Sequence, residues 1–259
     1  MAGDYQYINF TIANRVARIT FARPPLNVLN ISMMREIVKA LNECSSEPSI
    51  VAIVFDSAKE CRAFSAGVAI EEHIEGTIYQ MLDSFHAIFR TLEQLAKPVI
   101  SIVDGPALGG GCELIAASDI VIATESARFG QPEIKLGVFP PVAALLMPRI
   151  IGDKMARELI LTGDLIDAKQ AARHGLVNHV VTLAEIEAKT LEILAKLREL
   201  SATALEMAKK AMDLGRGRSF DNALDDVENL YFNELMKTFD ANEGIEAFMQ
   251  KRKPVWRNR

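Results

Sequence analysis

The first two thirds of the chain contain short apolar runs that predict β-strands. Tyr7–Ile12 and Val16–Phe21 are separated by three residues, which predicts a β-hairpin. Three later runs, Ile50–Phe55, Val99–Val103 and Ile120–Ala123, are almost continuously apolar and rich in β-branched residues, as is typical of strands covered on both faces. Because segments with helical spacing separate these runs, we predict an α/β fold with parallel strand pairing.

The helical pattern is clearest between the strands and in the last third of the chain. A first helix is expected to end at about Cys44, with Asn30 or Ser32 as its N-cap, and a second spans Ile78–Leu95. From about Leu183 onward the sequence is rich in Ala, Leu, Glu and Lys and contains few strand signals. The amphipathic helices predicted there are Leu183–Leu200, Ala202–Leu214, Phe220–Phe239 and Glu243–Lys251.

Composition and charge argue against several classes of function. The 259 residues include 34 acidic and 29 basic side chains, so we expect no global positive field that would recruit nucleic acid. No uncharged apolar stretch reaches the ~18 residues of a membrane span, and no secretory signal is visible. The three cysteines form no CxxC pair and indicate neither a disulfide framework nor a zinc site. A reducing cytoplasm is therefore the expected location.

The segment that most strongly indicates a binding or catalytic site is the glycine-rich turn at residues 104–119, DGPALGGGCELIAASD. It follows the strand that ends at Val103, and Gly109–Gly111 lead into an apolar helical run. Glycines let the backbone approach a ligand closely, and the free N–H groups of a first helical turn bind a phosphate, a carboxylate or a developing oxyanion. The spacing is neither GxGxxG nor that of a P-loop. A purely structural helix start is the alternative.

Two other segments add candidate groups. Residues 61–70, CRAFSAGVAI, have small side chains around Gly67, which would leave the N–H of Ala66 exposed to a ligand; a tight turn is the alternative. In residues 129–141, FGQPEIKLGVFPP, Glu133 follows Pro132 among mostly apolar residues. Such surroundings raise the pKa of a carboxyl group and suit proton transfer near neutral pH, although many loop glutamates are simply solvated.

In combination, FSAG, ALGGGCEL and FGQPEIKLG resemble the crotonase (enoyl-CoA hydratase/isomerase) superfamily, from about Tyr7 to Trp256. The resemblance implies an α/β crotonase fold: repeated ββα units form a spiral catalytic core, residues 1–196, and a C-terminal helical region, residues 197–259, builds a homotrimer or homohexamer. It also implies a hydro-lyase that acts on acyl groups carried as coenzyme A thioesters. Coenzyme A would be part of the substrate, and neither a permanently bound cofactor nor a metal is expected.

The resemblance assigns roles to individual residues. Glu113 and Glu133 would hold one water between them, Glu113 to deprotonate it and Glu133 to protonate carbon. The backbone N–H groups of Ala66 and Gly110 would form the oxyanion hole for the thioester carbonyl. The residues that would line coenzyme A or the acyl group are Arg23, Pro25, Leu26, Val28, Gly67, Val68, Ala69, Phe139, Phe248 and Lys251. The last two sometimes reach coenzyme A from an adjacent subunit. Whether one glutamate performs both proton transfers stays open.

Two stretches differ from ordinary hydratases of this family. Ala66–Ala69 is AGVA instead of AGAD and precedes Glu71-Glu72-His73, and residues 137–144, GVFPPVAA, replace a glycine-rich turn. This combination resembles the hydratases that convert cyclohexa-1,5-diene-1-carbonyl-CoA to 6-hydroxycyclohex-1-ene-1-carbonyl-CoA in anaerobic aromatic degradation. A general short-chain enoyl-CoA hydratase, an enoyl-CoA isomerase and a non-catalytic acyl-CoA binding protein are the alternatives.

Overall fold

A computed structural model describes residues 5–259. Within these residues the strands are β1 (Ile8–Ala13), β2 (Val16–Phe21), β3 (Ala52–Ser57), β4 (Val99–Val103), β5 (Pro106–Leu108), β6 (Ile120–Thr124), β7 (Arg128–Gly130), β8 (Leu165–Asp167) and β9 (His179–Val181). The α-helices are α1 (Ile31–Ser45), α2 (Ile78–Leu95), α3 (Gly110–Ala116), α4 (Pro141–Ile151), α5 (Asp153–Thr162), α6 (Ala168–Arg173), α7 (Ile186–Arg198), α8 (Ala202–Leu214), α9 (Phe220–Asn233) and α10 (Phe239–Met249). Short 3₁₀ turns lie at Ile70–Glu72, Pro132–Leu136 and Leu235–Lys237.

The strands form two sheets. The large sheet has the order β1-β2-β3-β4-β6-β9; β1 and β2 form the predicted antiparallel hairpin, and every later pair is parallel. The small sheet has the order β5-β7-β8, with β5 and β7 parallel and β7 and β8 antiparallel. The predicted α/β fold with parallel pairing is confirmed.

The chain crosses from the large sheet to the small one in a repeated unit. β4 is followed by β5 and α3, and β6 is followed by β7 and α4. The two earlier turns of the spiral have single parallel bridges in place of the second strand: Leu29 pairs with Val68, and Ser65 pairs with Ala107. This order of strand, strand and helix is the ββα repeat of a crotonase fold, as expected.

The main core lies between the large sheet and α1 and α2, which pack against each other. Phe21 sits at its centre, with its ring centroid 5.7 Å from that of Phe55 and 5.2 Å from that of Phe64. Burying one such side chain contributes about 1.5–3 kcal/mol. The start of α1 is fixed by Asn30, whose Oδ1 accepts a hydrogen bond from Met33 N at 2.9 Å. Of the two candidate caps, Asn30 is the one that the chain uses.

On the opposite face of the sheet, apolar residues of β3, β4 and β6 pack with side chains of α7 and α8. Two ion pairs of buried lysines attach α8 to the core. Lys209 of α8 places its Nζ 2.6 Å from Asp119 Oδ2, and Lys97 pairs with Glu206 of α8. The boundary that we predicted between residues 196 and 197 falls in the last turn of α7, which itself packs on the sheet. Within residues 5–259 no helix combines the length and apolar character needed to cross a membrane.

One prediction for the helical region is wrong. We expected a single helix over Phe220–Phe239, but α9 ends at Asn233 and α10 begins after Thr238. Thr238 Oγ1 accepts a hydrogen bond from Ala241 N at 3.1 Å, and this N-cap starts a new helix. The helix predicted at Glu243–Lys251 is the second part of α10.

Candidate active site

Three turns of the spiral bring their loops to one edge of the small sheet. Ser65 and Ala107 are parallel partners, and β5 and β7 are parallel neighbours. Parallel strands end at the same edge of a sheet. Val68 lies three residues beyond Ser65, Gly110 lies three residues beyond Ala107, and Glu133 lies just past the end of β7. The fold therefore gathers residues from the three predicted segments in one place.

Glu113 lies in the first turn of α3 and is only 2% exposed. Its Oε1 accepts hydrogen bonds from the backbone N–H groups of Val142 and Ala143, both at 2.8 Å, whereas its Oε2 accepts none from residues 5–259. Burial raises the pKa of Glu113 to about 7; the two amide donors oppose this shift, and the charge of Glu133 adds to it. Glu113 is thus an anchored carboxyl group with one oxygen left for a ligand.

The backbone N–H groups of Val142 and Ala143 can donate to Glu113 because α4 starts just before these two residues. Pro140 precedes α4 and Pro141 is its first residue, a position that proline favours. The next two backbone N–H groups have no acceptor within the helix, and the carboxyl group of Glu113 supplies one. The backbone contact of Val142 with Glu113 was not predicted from the sequence.

Glu133 lies in the 3₁₀ turn that Pro132 starts, directly against the glycine-rich turn. A side-chain carbon added at Gly109 would lie 2.5 Å from Glu133 Oε1. The other oxygen, Oε2, is buried and has no hydrogen-bond partner within residues 5–259. Burial raises the pKa of Glu133 to about 7. A buried, unpaired carboxyl oxygen is costly, so Oε2 is suited to carry a proton or to accept a hydrogen bond from a ligand.

Glu113 and Glu133 form an electrically coupled pair, since the charge of Glu133 raises the pKa of Glu113. When two such carboxyl groups interact, their protons leave in two steps that belong to the pair. With both pKa values at about 7, the pair holds about one proton at neutral pH. One member can then accept a proton while the other donates one.

The N–H of Ala66 is not free, contrary to our expectation. It donates a hydrogen bond to Leu26 O at 2.9 Å, so its assignment to the oxyanion hole is wrong. The N–H of Val68 donates to no acceptor within residues 5–259, and Gly110, as the first residue of α3, has no acceptor in its own helix. The two loops meet, because a carbon added at Gly67 would lie 3.6 Å from Gly110 N. Val68 and Gly110 are therefore the available pair of amide donors.

The two stretches expected to line coenzyme A lie side by side. Leu29 N donates to Gly67 O at 2.8 Å, and Ala69 N donates to Leu29 O at 2.9 Å. Arg23 stabilises the same loop by donating from its guanidinium group to Val28 O at 2.8 Å. The other predicted members of this surface are the exposed Pro25 and Leu26 and the half-buried Val68. The structure brings these predicted residues together.

Three predicted ligand contacts are exposed in the single chain and belong to segments other than these two stretches. Phe139 is 66% exposed on the loop before α4. Phe248 is 86% exposed on α10, which packs mainly on α8 and the turn Leu235–Lys237. Lys251 follows α10 and is also exposed. A contact of Phe248 and Lys251 with coenzyme A from an adjacent subunit stays a prediction.

Comparisons with known proteins agree with the fold and the geometry of this site. The family model described as Enoyl-CoA hydratase/isomerase matches residues 11–259. The cyclohexa-1,5-dienecarbonyl-CoA hydratase of Thauera aromatica is 36% identical, over 93% of either chain. The short-chain-enoyl-CoA hydratase of Clostridium acetobutylicum is 38% identical, over 92% of this chain and 93% of that protein. A crystal structure of enoyl-CoA hydratase from Bacillus anthracis superimposes with a TM-score of 0.91 at 32% identity, covering 98% of this chain and 100% of that one.

The chain therefore belongs to the enoyl-CoA hydratase/isomerase family. Within that family it is an enzyme of the enoyl-CoA hydratase type, which is a hydro-lyase.

Proposed function

We propose that this hydratase adds water to a conjugated acyl-CoA thioester with Glu113 and Glu133 as its acid/base pair. The observation that carries the proposal is the coupled pair of buried carboxyl groups, both with a pKa of about 7, beside the free amides of Val68 and Gly110. A general acid and a general base are most effective when their pKa values lie near the working pH.

The free amides of Val68 and Gly110 would bind the thioester carbonyl oxygen. Two hydrogen bonds to this oxygen stabilise the negative charge that develops on it as water attacks, and each such donor is typically worth ~3 kcal/mol in the transition state. Withdrawal of electron density toward the carbonyl leaves the β carbon electron-poor. The attacking water therefore bonds to that carbon.

The two carboxyl groups would move the protons of this water. Ionised Glu113, anchored through Oε1, accepts one proton at Oε2 while the water oxygen forms its bond to the β carbon. Electron density moves to the carbonyl oxygen, and protonated Glu133 then donates its proton to carbon as the carbonyl re-forms. Glu113 ends protonated and Glu133 ionised, and transfer of one proton between them restores the starting state. Each transfer typically contributes 10²–10⁴-fold to the rate.

We propose cyclohexa-1,5-diene-1-carbonyl-CoA as the substrate and 6-hydroxycyclohex-1-ene-1-carbonyl-CoA as the product, with the hydroxyl group on the β carbon and the proton at the far end of the diene. Two observations support this choice: the AGVA and GVFPPVAA stretches, and the 36% identity to the Thauera aromatica enzyme, which is named for this reaction. Phe139 would contact the ring at the mouth of the site.

A linear short-chain enoyl-CoA thioester is the second candidate, because the Clostridium acetobutylicum relative is 38% identical. An isomerase needs only one carboxyl group to shuttle a proton, so the presence of both favours hydration. The test supplies the cyclic diene thioester and crotonyl-CoA in parallel and follows the gain of one water by mass. Rapid hydration of the diene with little crotonyl turnover supports our choice, and the opposite preference leaves the linear substrate. Turnover of neither contradicts the proposed function.

We further propose that residues 197–259 build a homotrimer or homohexamer, in which Phe248 and Lys251 reach coenzyme A of an adjacent subunit. The large exposed side chains of this region, which include Phe220 and Phe232, support such an interface. Coenzyme A is part of the substrate in this account, and no permanent cofactor, nucleic acid or membrane partner is assigned. A cytoplasmic location agrees with the three free cysteines.

A further inference from the structure

Phe85 contacts the glycine that carries one of the proposed oxyanion donors. A side-chain carbon added at Gly110 would lie 3.0 Å from Cζ and 3.2 Å from Cε2 of Phe85, and 2.8 Å from Cγ2 of Val68. The Phe85 ring thus fills the space next to Gly110, on the side where Val68 also packs. Phe85 belongs to none of the predicted site motifs, and neither proton transfer uses it.

The ring of Phe85 is held in one position by its surroundings. Phe85 is 2% exposed and lies in the middle of α2. Its ring meets that of Phe89 edge to face, with centroids 5.0 Å apart and an interplanar angle of 81°, an arrangement that aromatic pairs favour. Because close-packed interiors adjust little to a change in volume, we expect the Phe85 ring to keep its position beside Gly110.

We propose that Phe85 determines which acyl groups fit at the carbon next to the thioester carbonyl. The inference rests on the proposed function, in which the carbonyl oxygen binds to the amides of Val68 and Gly110. The α carbon of the substrate is then one bond from a carbonyl held beside Gly110, and the Phe85 ring bounds the space for a substituent on that carbon. A flat, conjugated acyl group fits beside the Phe85 ring, whereas a branch at the α carbon would clash with the ring.

The test compares crotonyl-CoA with its α-methyl analogue, tiglyl-CoA, in the wild type and in Phe85→Leu. The two thioesters differ by one methyl group at the α carbon, and one such group in an apolar pocket typically changes kcat/KM by about 10–200-fold. We expect Phe85→Leu to raise the ratio of kcat/KM for tiglyl-CoA over crotonyl-CoA by about tenfold or more. Phe85→Met, which has a flexible side chain, should raise it in the same direction and provides a second test if the leucine variant folds poorly.

Phe55→Leu is the matched control, because it makes the same chemical change at another buried ring, one that packs on Phe21 and not on Phe85. An unchanged ratio in both Phe85 variants, or an equal rise in Phe55→Leu, would overturn the inference. Dissociation constants for butyryl-CoA and 2-methylbutyryl-CoA, which cannot be hydrated, measure the same selectivity without turnover. If the wild type hydrates no thioester, the proposed function fails, while a shift in this binding ratio confined to Phe85 variants still supports the role of Phe85.

Discussion

Glu133 lies so close to Gly109 that a side-chain carbon at this glycine would be 2.5 Å from Glu133 Oε1 and 3.2 Å from Cδ. Gly109 has a φ of +52° and ends the glycine-rich turn just before α3. The turn therefore does two things at once: it leaves the amide of Gly110 free and makes room for a buried carboxyl group. The proposed oxyanion hole and acid/base pair are joined at this contact.

Gly109→Ala should remove most of the activity, because its methyl group would clash with Glu133 Oε1 at 2.5 Å and move the carboxyl group. We expect kcat to fall by about 10²-fold or more, as for a misplaced catalytic group, with a smaller change in the affinity for the thioester. Steady-state kinetics with crotonyl-CoA and the cyclic diene thioester measure both values.

Gly217→Ala is the control for backbone strain in that experiment. Gly217 also has a positive φ, +72°, but a carbon added there meets nothing within 4 Å. Its substitution should lower stability slightly and leave kcat unchanged. Equal losses of activity in Gly217→Ala and Gly109→Ala would show that strain, rather than the displacement of Glu133, is responsible.

The pH dependence of the reaction should report the shared proton of the pair. Below pH about 7 both carboxyl groups become protonated and the base is lost; above it both ionise and the acid is lost. We therefore expect a bell-shaped profile of kcat/KM with its maximum at about pH 7. In Glu113→Gln, the residual activity should depend only on protonated Glu133 and should fall only as the pH rises. A flat profile for the wild type would contradict the assignment.

Stability should also depend on the ionisation of Glu113. Its pKa is raised from 4.5 to about 7 on folding, so between these values the folded state binds more protons than the unfolded one, and stability falls as the pH rises. The stabilising contribution of protonated Glu113 is fully present below pH about 4.5. It is lost as the pH rises through about 7, and the total change in the free energy of unfolding is roughly 3 kcal/mol. Relative to the wild type, Glu113→Gln should gain stability over this range. Parallel unfolding free energies at all pH values would refute the raised pKa.

The attachment of α8 to the core can be tested at Lys209. Its ammonium group, 2.6 Å from Asp119 Oδ2, also donates to Lys97 O at 3.0 Å. Lys209→Met leaves Asp119 without its cation and should cost roughly 2–3 kcal/mol, less than for a fully buried pair because Asp119 is partly exposed. Arg157→Ala breaks the exposed pair with Asp153 and should cost far less, because solvent screens an exposed ion pair. Denaturant unfolding compares the two, and equal losses would contradict a special role for the buried pair.

Most of the large sheet could be predicted because its strands are continuous apolar runs, as at Val99–Val103. The break between α9 and α10 could not, because the apolar spacing continues through it and only the local N-cap at Thr238 starts the new helix. The short strands of the small sheet, such as Pro106–Leu108, have too few residues to show a period.

In the site, the two glutamates and Gly110 could be proposed because the motifs that contain them, ALGGGCEL and FGQPEIKLG, resemble those of the crotonase superfamily. Ala66 was predicted in place of Val68, because no pattern in the sequence shows that the amide of Ala66 pairs with Leu26 in the folded chain. The contact of Phe85 with Gly110 joins residues 25 positions apart in sequence, and no local pattern predicts it.

The most direct test of the acid/base pair is to measure turnover and thioester binding in Glu113→Gln and Glu133→Gln. Glutamine keeps the shape and one acceptor oxygen of each side chain but can neither take up nor release the proton. We predict that kcat falls by at least about 10²–10⁴-fold in each variant, while the dissociation constant for butyryl-CoA stays within about threefold of the wild-type value, because the carboxyl groups act on water and not on coenzyme A. Near-normal turnover in both variants would contradict the account.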